Sequence, residues 1–301
     1  MKNQLKILIL GYGEMGHAME FLLQDHYHLD IWDKYPKGNF QPVSLEDTAG
    51  TADVVIFCLP VNPHYEIAQH IASLIKPGCL CLSIAKGLDE EGRTAAQIFS
   101  EVFSQQQSFG FLYGPMISEE ICAGRYAFAQ VACNKSESYD TVKKLFIGTR
   151  LFTEETSDIT GISWSVILKN VYALIFGIAD ELQFGDNARG FLMVNALHEL
   201  DSIAVKMGGH AKSPYHLAGL GDLITTATSE SSHHHELGRK LAREETKGIT
   251  GEGIHTLEMV SKHNLLNTAD YPLFDLIKNI VVNPQDIQIK FNEYLKKNYS
   301  S

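Results

Sequence analysis

The sequence predicts an α/β N-terminal half, a doubly wound sheet with helices on both faces, joined to an all-α C-terminal domain. Three observations carry this. Short β-rich runs alternate with helix-like stretches between residues 5 and 155, a glycine-rich turn directly follows the first run, and the β signal vanishes after Asp158, where long helical segments begin. Strand and helix in alternation are the pattern of a parallel sheet covered on both sides.

Taken in order, the expected strands are "LKILIL", "HLDIW", "DVVIFCL", "CLCLSIA", "FGFLY" and "AFAQVAC". The segment "SWSVILKNVYALIFGIADEL", residues 163–182, is apolar nearly all round, as a helix buried on every side should be. "NALHELDSIAVKM" and "GEGIHTLEMVSKH" carry ordinary amphipathic patterns. A chain of 301 residues suits two packed domains. The expected division is 1–158 for a dinucleotide-binding domain and 159–301 for a helical substrate domain. No Pro/Ser-rich linker separates them, so tight packing is expected. No internal repeat, low-complexity tract or heptad pattern stands out.

With 25 basic against 36 acidic residues and a formal charge of −11, a non-specific grip on nucleic acid or anionic membrane is not expected. An anionic ligand must be met by a local cluster of cations. The five cysteines, Cys58, Cys79, Cys81, Cys122 and Cys133, are odd in number and form no C-x-x-C pair, which reads as reduced thiols in a cytosolic protein. The longest uninterrupted apolar run, "VVIFCLPV" at 54–61, is far short of the ~20 residues of a membrane-spanning helix. With no basic stretch and cleavable apolar run before the first strand, a secretory signal is not expected. The expectation is a cytoplasmic protein without membrane insertion.

"KILILGYGEMGHAMEFLL" sets Gly11, Gly13 and Gly16 between a strand and a helix, which is a Rossmann-type turn. The spacing recurs by chance; the strand–turn–helix setting is what the mechanism requires. Gly11 permits the tight turn, Gly13 leaves room for a pyrophosphate against the backbone, Gly16 lets helix and strand pack closely, and the helix N-terminus faces the phosphates. Asp33 ends the second strand about 20 residues further on, where a carboxylate accepts from a ribose 2′-hydroxyl and repels a 2′-phosphate. NAD is therefore expected over NADP, although Lys34 is adjacent and strands often end in a carboxylate.

Reduction of a ketone by a nicotinamide needs a proton donor at the carbonyl oxygen. Lys169 interrupts the apolar helix, where an unpaired ammonium is costly and a desolvated one has a lowered pKa suited to proton transfer. A structural ion pair with Asp180 or some distant carboxylate is the alternative. Lys86, in "SIAKGL", lies just past the fourth strand, on the rim where open α/β sheets bind ligands, though a surface lysine would look the same. A second cation there would depress the pKa of Lys169 and stabilise a developing alkoxide. Asp222, in "GLGDL", can orient that lysine or simply cap a helix.

Together, "GYGEMG", "FCLPV", "SIAKGL", "LYGPMISEEI", "ILKNVYALIFGIADELQFGDNARG", "LAGLGDLITTATS" and "GEG" resemble the NAD(P)-dependent glycerol-3-phosphate dehydrogenases, in consistent order over residues 5–286. The resemblance implies reversible reduction of dihydroxyacetone phosphate to sn-glycerol 3-phosphate by a cytoplasmic homodimer. It makes Lys169 the proton-transfer residue, with Asn170 beside it in the substrate pocket, and Lys86 a contact to both substrate and cofactor. It carries Gly114, Asp222 and Thr226 to the substrate, and Glu14, Met15, Ser118 and Glu252 to the dinucleotide.

Three departures stand out. The "GP" motif continues as Met116, Ile117, Ser118 instead of a small hydroxyl residue followed by Phe-Ala. Asp33 stands where the family commonly has a small residue before an arginine. The family's "S-R-N", whose arginine contacts substrate phosphate and cofactor, is here Ser232, His233 and His234.

Helical neighbours point about 100° apart, so three consecutive histidines cannot converge on one ion, and no metal is expected. The run reads as a helix start with Ser231 or Ser232 as N-cap. Arginine offers phosphate a permanent charged fork; histidine offers at most two donors and is largely neutral above about pH 6.5. Ser232, His233 and His234 are expected at the substrate tail, with His233 also near the cofactor. The leading expectation is an NAD-dependent dehydrogenase of dihydroxyacetone phosphate or a close analogue. A related hydroxy-acid or hydroxy-ketone dehydrogenase with a non-phosphate substrate stays open, as does a catalytically silent NAD-binding sensor, which the lysine pair argues against.

Overall fold

Seven strands form one sheet in the order β2-β1-β3-β4-β5-β6-β7: β1 Lys6–Leu10, β2 His28–Trp32, β3 Val54–Phe57, β4 Leu80–Ser83, β5 Ser108–Tyr113, β6 Ala127–Cys133 and β7 Leu151–Glu155. The computed structural model describes residues 5–229, 232–245 and 247–299. Helices α1 Glu14–Leu23, α2 Leu45–Thr48, α3 His64–Leu74, α4 Ala95–Val102, α5 Ser118–Cys122 and α6 Glu137–Leu145 connect the strands. The period-2 alternation of β1 sends Ile7 and Ile9 into the apolar core on one face of the sheet, and Leu8 and Leu10 into the core on the other.

Two details depart from the expected uniform parallel sheet. β1 to β5 pair in parallel, but β6 runs antiparallel to β5, and β7 is parallel to β6. The five-residue α5 is only about 7.5 Å long, too short to carry the chain back along a strand for another parallel pairing. The seventh strand, "LFTEE", buries Leu151 alone and exposes Phe152, Glu154 and Glu155. Charges of this kind blunt a sheet edge and also hide the strand from an apolar-run reading.

The second half is built on α7, Ile159–Glu181, about 34 Å long and buried at every residue from Gly161 to Ala179. It is long and apolar enough to cross a membrane by length and composition, yet its most apolar window is 100% buried inside the protein. Asp158 starts it by accepting from Gly161 N at 2.8 Å and also holds His210 N at 2.7 Å. Around it lie α8 Gly185–Lys206, α9 Asp222–Thr228, α10 His233–Ala242, α11 Glu252–Lys262, α12 Pro272–Val282 and α13 Ile287–Asn298. The core on the Leu8 face of the sheet continues through α7 to Tyr294 of α13, without an apolar break between the halves.

The crossing of α7 and α10 is set by backbone. A Cβ on Gly177 would lie 1.9 Å from His235 O, and one on Gly238 would lie 2.1 Å from Leu174 O. Neither position tolerates a side chain, and the contact draws the start of α10 against the helix that carries Lys169 and Asn170.

Candidate active site

The glycine turn joins β1 to α1 as its three residues require. Gly11 has φ +94°, and a Cβ there would lie 2.6 Å from Cys58 O; a Cβ on Gly16 would lie 2.1 Å from Gly11 O. Around Gly13, the N-cap of α1, nothing lies within 4 Å. That open side, above free helix N–H groups, fits a pyrophosphate. A cavity of about 600 Å³ continues from it, lined by Gly11, Gly13, Asp33, Phe40, Leu59 and Pro63 among others. Asp33 turns its carboxylate onto the turn, accepting from Tyr12 N at 2.6 Å and Tyr35 N at 2.7 Å. Glu14 and Met15 open α1, Glu14 exposed and Met15 half-buried against the core beneath. Tyr12, unremarked in the sequence, stacks on Phe40 with centroids 4.3 Å apart and donates to Glu20 at 2.6 Å. Burial and that hydrogen bond push its phenol up to about 12, so it stays protonated. The residues present therefore fit a nicotinamide dinucleotide.

At the other end, three elements bring three charges together. Lys86, after β4, donates to Asp222 Oδ2 at 2.8 Å, and Lys169, from the middle of α7, reaches Asp222 Oδ1 at 3.2 Å. Lys169 also donates to Thr226 Oγ1 at 2.7 Å, one turn along α9 from Asp222. Asp222 is the first residue of α9, but its side chain makes no cap; both oxygens go to the lysines. Asp180, the alternative partner for Lys169, is taken instead by His235 and Arg189, each at 2.8 Å.

Burial pulls the Lys169 ammonium down to about 8; Lys86 pushes the same way, while Asp222 opposes both. Burial would raise the Asp222 carboxyl, but Lys169 and Lys86 together hold it below its ordinary range. Such a lysine can give up and regain a proton near neutral pH while its carboxylate stays ionised.

The histidine rings take three separate partners. His233 Nε2 donates to Thr250 O at 2.9 Å, His234 Nε2 accepts from Gly253 N at 3.2 Å, and His235 pairs with Asp180. Ser232 is the N-cap of α10, its Oγ accepting from His235 N at 3.3 Å; Ser231, the other candidate cap, lies outside the described residues. Burial first, then Lys169, His233 and Lys86, push His234 down to about 3, so its ring is neutral. Asn170 Nδ2 donates to Glu252 Oε2 at 2.9 Å, while Asn170 Oδ1 is buried with no partner. Glu252 is raised by burial against the pull of Lys86 and Lys169. The following Gly253 allows the close fit, since a Cβ there would lie 2.5 Å from Asn170 O. Gly114 follows β5 directly, and Ser118 opens α5 with its hydroxyl on Glu119 at 3.0 Å, so neither reaches the lysine cluster through a hydrogen bond.

Two supports carried no motif. Buried Gln130 of β6 accepts from Ala218 N at 3.1 Å and steadies the π-type turn, Leu217–Gly221, that delivers Asp222. His64, fully buried, donates from Nδ1 to Pro60 O at 2.8 Å and accepts from Ser83 Oγ at 2.9 Å. Burial lowers its pKa to about 4 against the Pro60 bond. This neutral ring ties the exit of β3 to the exit of β4, three residues before Lys86.

Comparison with known proteins matches both halves. The model for the NAD-dependent glycerol-3-phosphate dehydrogenase N-terminus matches residues 34–139, and the one for the C-terminus matches 158–291. A glycerol-3-phosphate dehydrogenase [NAD(P)+] of Listeria monocytogenes serotype 4b is 26% identical, covering 94% of each chain. One from Nitrosomonas eutropha is 29% identical over 79% of each. The crystal structure of glycerol-3-phosphate dehydrogenase from Coxiella burnetii superposes with a TM-score of 0.84 at 23% identity, covering 97% of this chain and 99% of that one. Matched over residues 34–139 and 158–291, the chain belongs to the NAD-dependent glycerol-3-phosphate dehydrogenase family, whose members are oxidoreductases acting on a CH–OH group with NAD(P).

Proposed function

We propose that this chain reversibly reduces dihydroxyacetone phosphate, or a close analogue, to the corresponding secondary alcohol, sn-glycerol 3-phosphate in the first case, with Lys169 transferring the proton. The observation that carries the reading is the pair of lysines meeting the two oxygens of one buried aspartate. Residues 1–158 hold the dinucleotide, and residues 159–301 supply Lys169, Asn170, Asp222 and Thr226. When bound, the nicotinamide supplies the hydride that reaches the carbonyl carbon. The Lys169 ammonium hands its proton to the carbonyl oxygen, and Lys86 stabilises negative charge as it develops there. Asp222 anchors both amines, and Thr226 fixes the direction of Lys169. In the reverse direction the neutral amine takes the hydroxyl proton. The homodimer and cytoplasmic location implied by the resemblance go with this reading.

The test is NADH oxidation with dihydroxyacetone phosphate and its analogues. Lys169→Ala should cut kcat about 10²–10⁴-fold, the usual worth of a positioned acid–base group; undiminished turnover would rule the role out. The cofactor preference rests on Asp33. Asp33→Ala should weaken NADH at least about tenfold relative to NADPH, as loss of a charge-assisted hydrogen bond predicts. Equal discrimination before and after would leave Asp33 a purely structural brace of the glycine turn.

A further inference from the structure

We propose that His64 is a positioning residue for the reaction described above: through Ser83 it holds the backbone that carries Lys86, and through Pro60 it ties that lysine to the wall of the dinucleotide cavity. The role rests on the lysine chemistry of the proposed function and extends it to a side chain outside the site. His64 is completely buried, so it meets no ligand itself. Its ring packs on Phe57 and Phe99, with centroids 5.3 and 5.8 Å away, and no charged side chain among the described residues bears on it. A polar ring in such surroundings is costly unless both nitrogens find partners. Both do.

The hydrogen bonds form one directed chain. Ala85 N donates to Ser83 Oγ at 3.2 Å, the Ser83 hydroxyl donates to His64 Nε2 at 2.9 Å, and His64 Nδ1 donates to Pro60 O at 2.8 Å. The two ends fix the direction, since the Ala85 N–H can only donate and the Pro60 carbonyl can only accept. At one end, Ala85 immediately precedes Lys86, whose ammonium has to meet Asp222 across 136 residues of sequence. At the other, Pro60 lines the dinucleotide cavity with Leu59 and Pro63. One ring thus sets the Lys86 turn against the cofactor side of the site. Facing Lys169 are Lys86 after β4, Asp222 of α9, Glu252 of α11 and the neutral His234 of α10. Of these, Lys86 alone is carried by the chain from His64. A slack Lys86 turn would withdraw that cation from Lys169 and leave the other three in place.

The test places His64→Asn and Ser83→Ala in wild type and in a Lys86→Met background, and follows NADH oxidation with dihydroxyacetone phosphate and its analogues across pH. Asparagine keeps a donor for Pro60 O and loses the Ser83 bond; alanine breaks the chain at its middle and leaves the Pro60 bond intact. In wild type each should cut kcat about 10–100-fold, as displacement of a catalytic group does. KM for NADH should change less than about twofold, because the Pro60 bond stays. The midpoint of the reduction rate should move above about 8, the direction expected when Lys86 recedes from Lys169. Without the Lys86 ammonium, the same substitutions should change kcat less than about twofold, since the group they displace is already gone. Undiminished kcat, equal losses in the two backgrounds or an unmoved midpoint overturns the positioning role and leaves the lysine mechanism standing. Should His64→Asn fail to fold, Ser83→Ala, which removes a single hydroxyl, decides alone. A wild type without ketone-dependent NADH oxidation overturns the proposed function, and the positioning role with it.

Discussion

The carbonyl end and the tail end of the site solve the problem of buried polarity in opposite ways. At the carbonyl end, full charges are kept and neutralised by one another: two ammonium groups share one carboxylate across three elements. At the tail end, two imidazoles lean on backbone atoms of the segment leading into α11, His233 donating to Thr250 O and His234 accepting from Gly253 N, and burial first keeps His234 neutral. The first arrangement stores electrostatic leverage for chemistry. The second reads shape and hydrogen-bond polarity. Removing a member of the first should therefore be far more damaging than removing a member of the second.

Asp222→Asn should have the largest effect. It strands two cations, and breaking a buried pair in this way costs about 3–5 kcal/mol, readable as a lowered denaturant midpoint together with loss of turnover. A variant as stable as wild type would show that the lysines are not held by charge. Next comes the pH profile of ketone reduction. The ammonium form of Lys169 is the acid, so the rate should fall as pH rises through about 8, and alcohol oxidation should rise through the same point. Lys86→Met removes a cation that depresses Lys169, so the residual activity should show that midpoint displaced to higher pH. An unmoved midpoint would separate the two lysines. The smallest effect belongs to the tail end: Ser232→Ala removes a cap bond and should cost about 1 kcal/mol in unfolding experiments with kcat nearly unchanged. A large kcat loss would place Ser232 on the substrate rather than on the helix.

What the sequence disclosed follows from which groups carry a local signature. The glycine turn was legible because Gly11 takes a positive φ and Gly16 packs on Gly11 within one strand–turn–helix unit. Lys169 was legible because a charge in an apolar helix has no cheap explanation. Its partner Asp222 was legible only as one of two readings, since the two side chains meet across 53 residues of sequence and nothing local distinguishes Asp222 from a cap. The partners of His233 and His234 were hidden for another reason: they are backbone atoms, which every residue has. The reversed direction of β6 depended on the length of α5, and the edge strand β7 was masked by its own glutamates.

The glycine-on-glycine crossing of α7 and α10 separates scaffold from selectivity. Because α10 meets α7 main chain to main chain at Gly177 and Gly238, that crossing is set by glycine and not by the side chains at 233 and 234. Positions 233 and 234 can be rewritten by point substitution while Ser232 caps the helix and the proton-transfer lysine keeps its address. A lineage could trade one ketone for another there without rebuilding the enzyme.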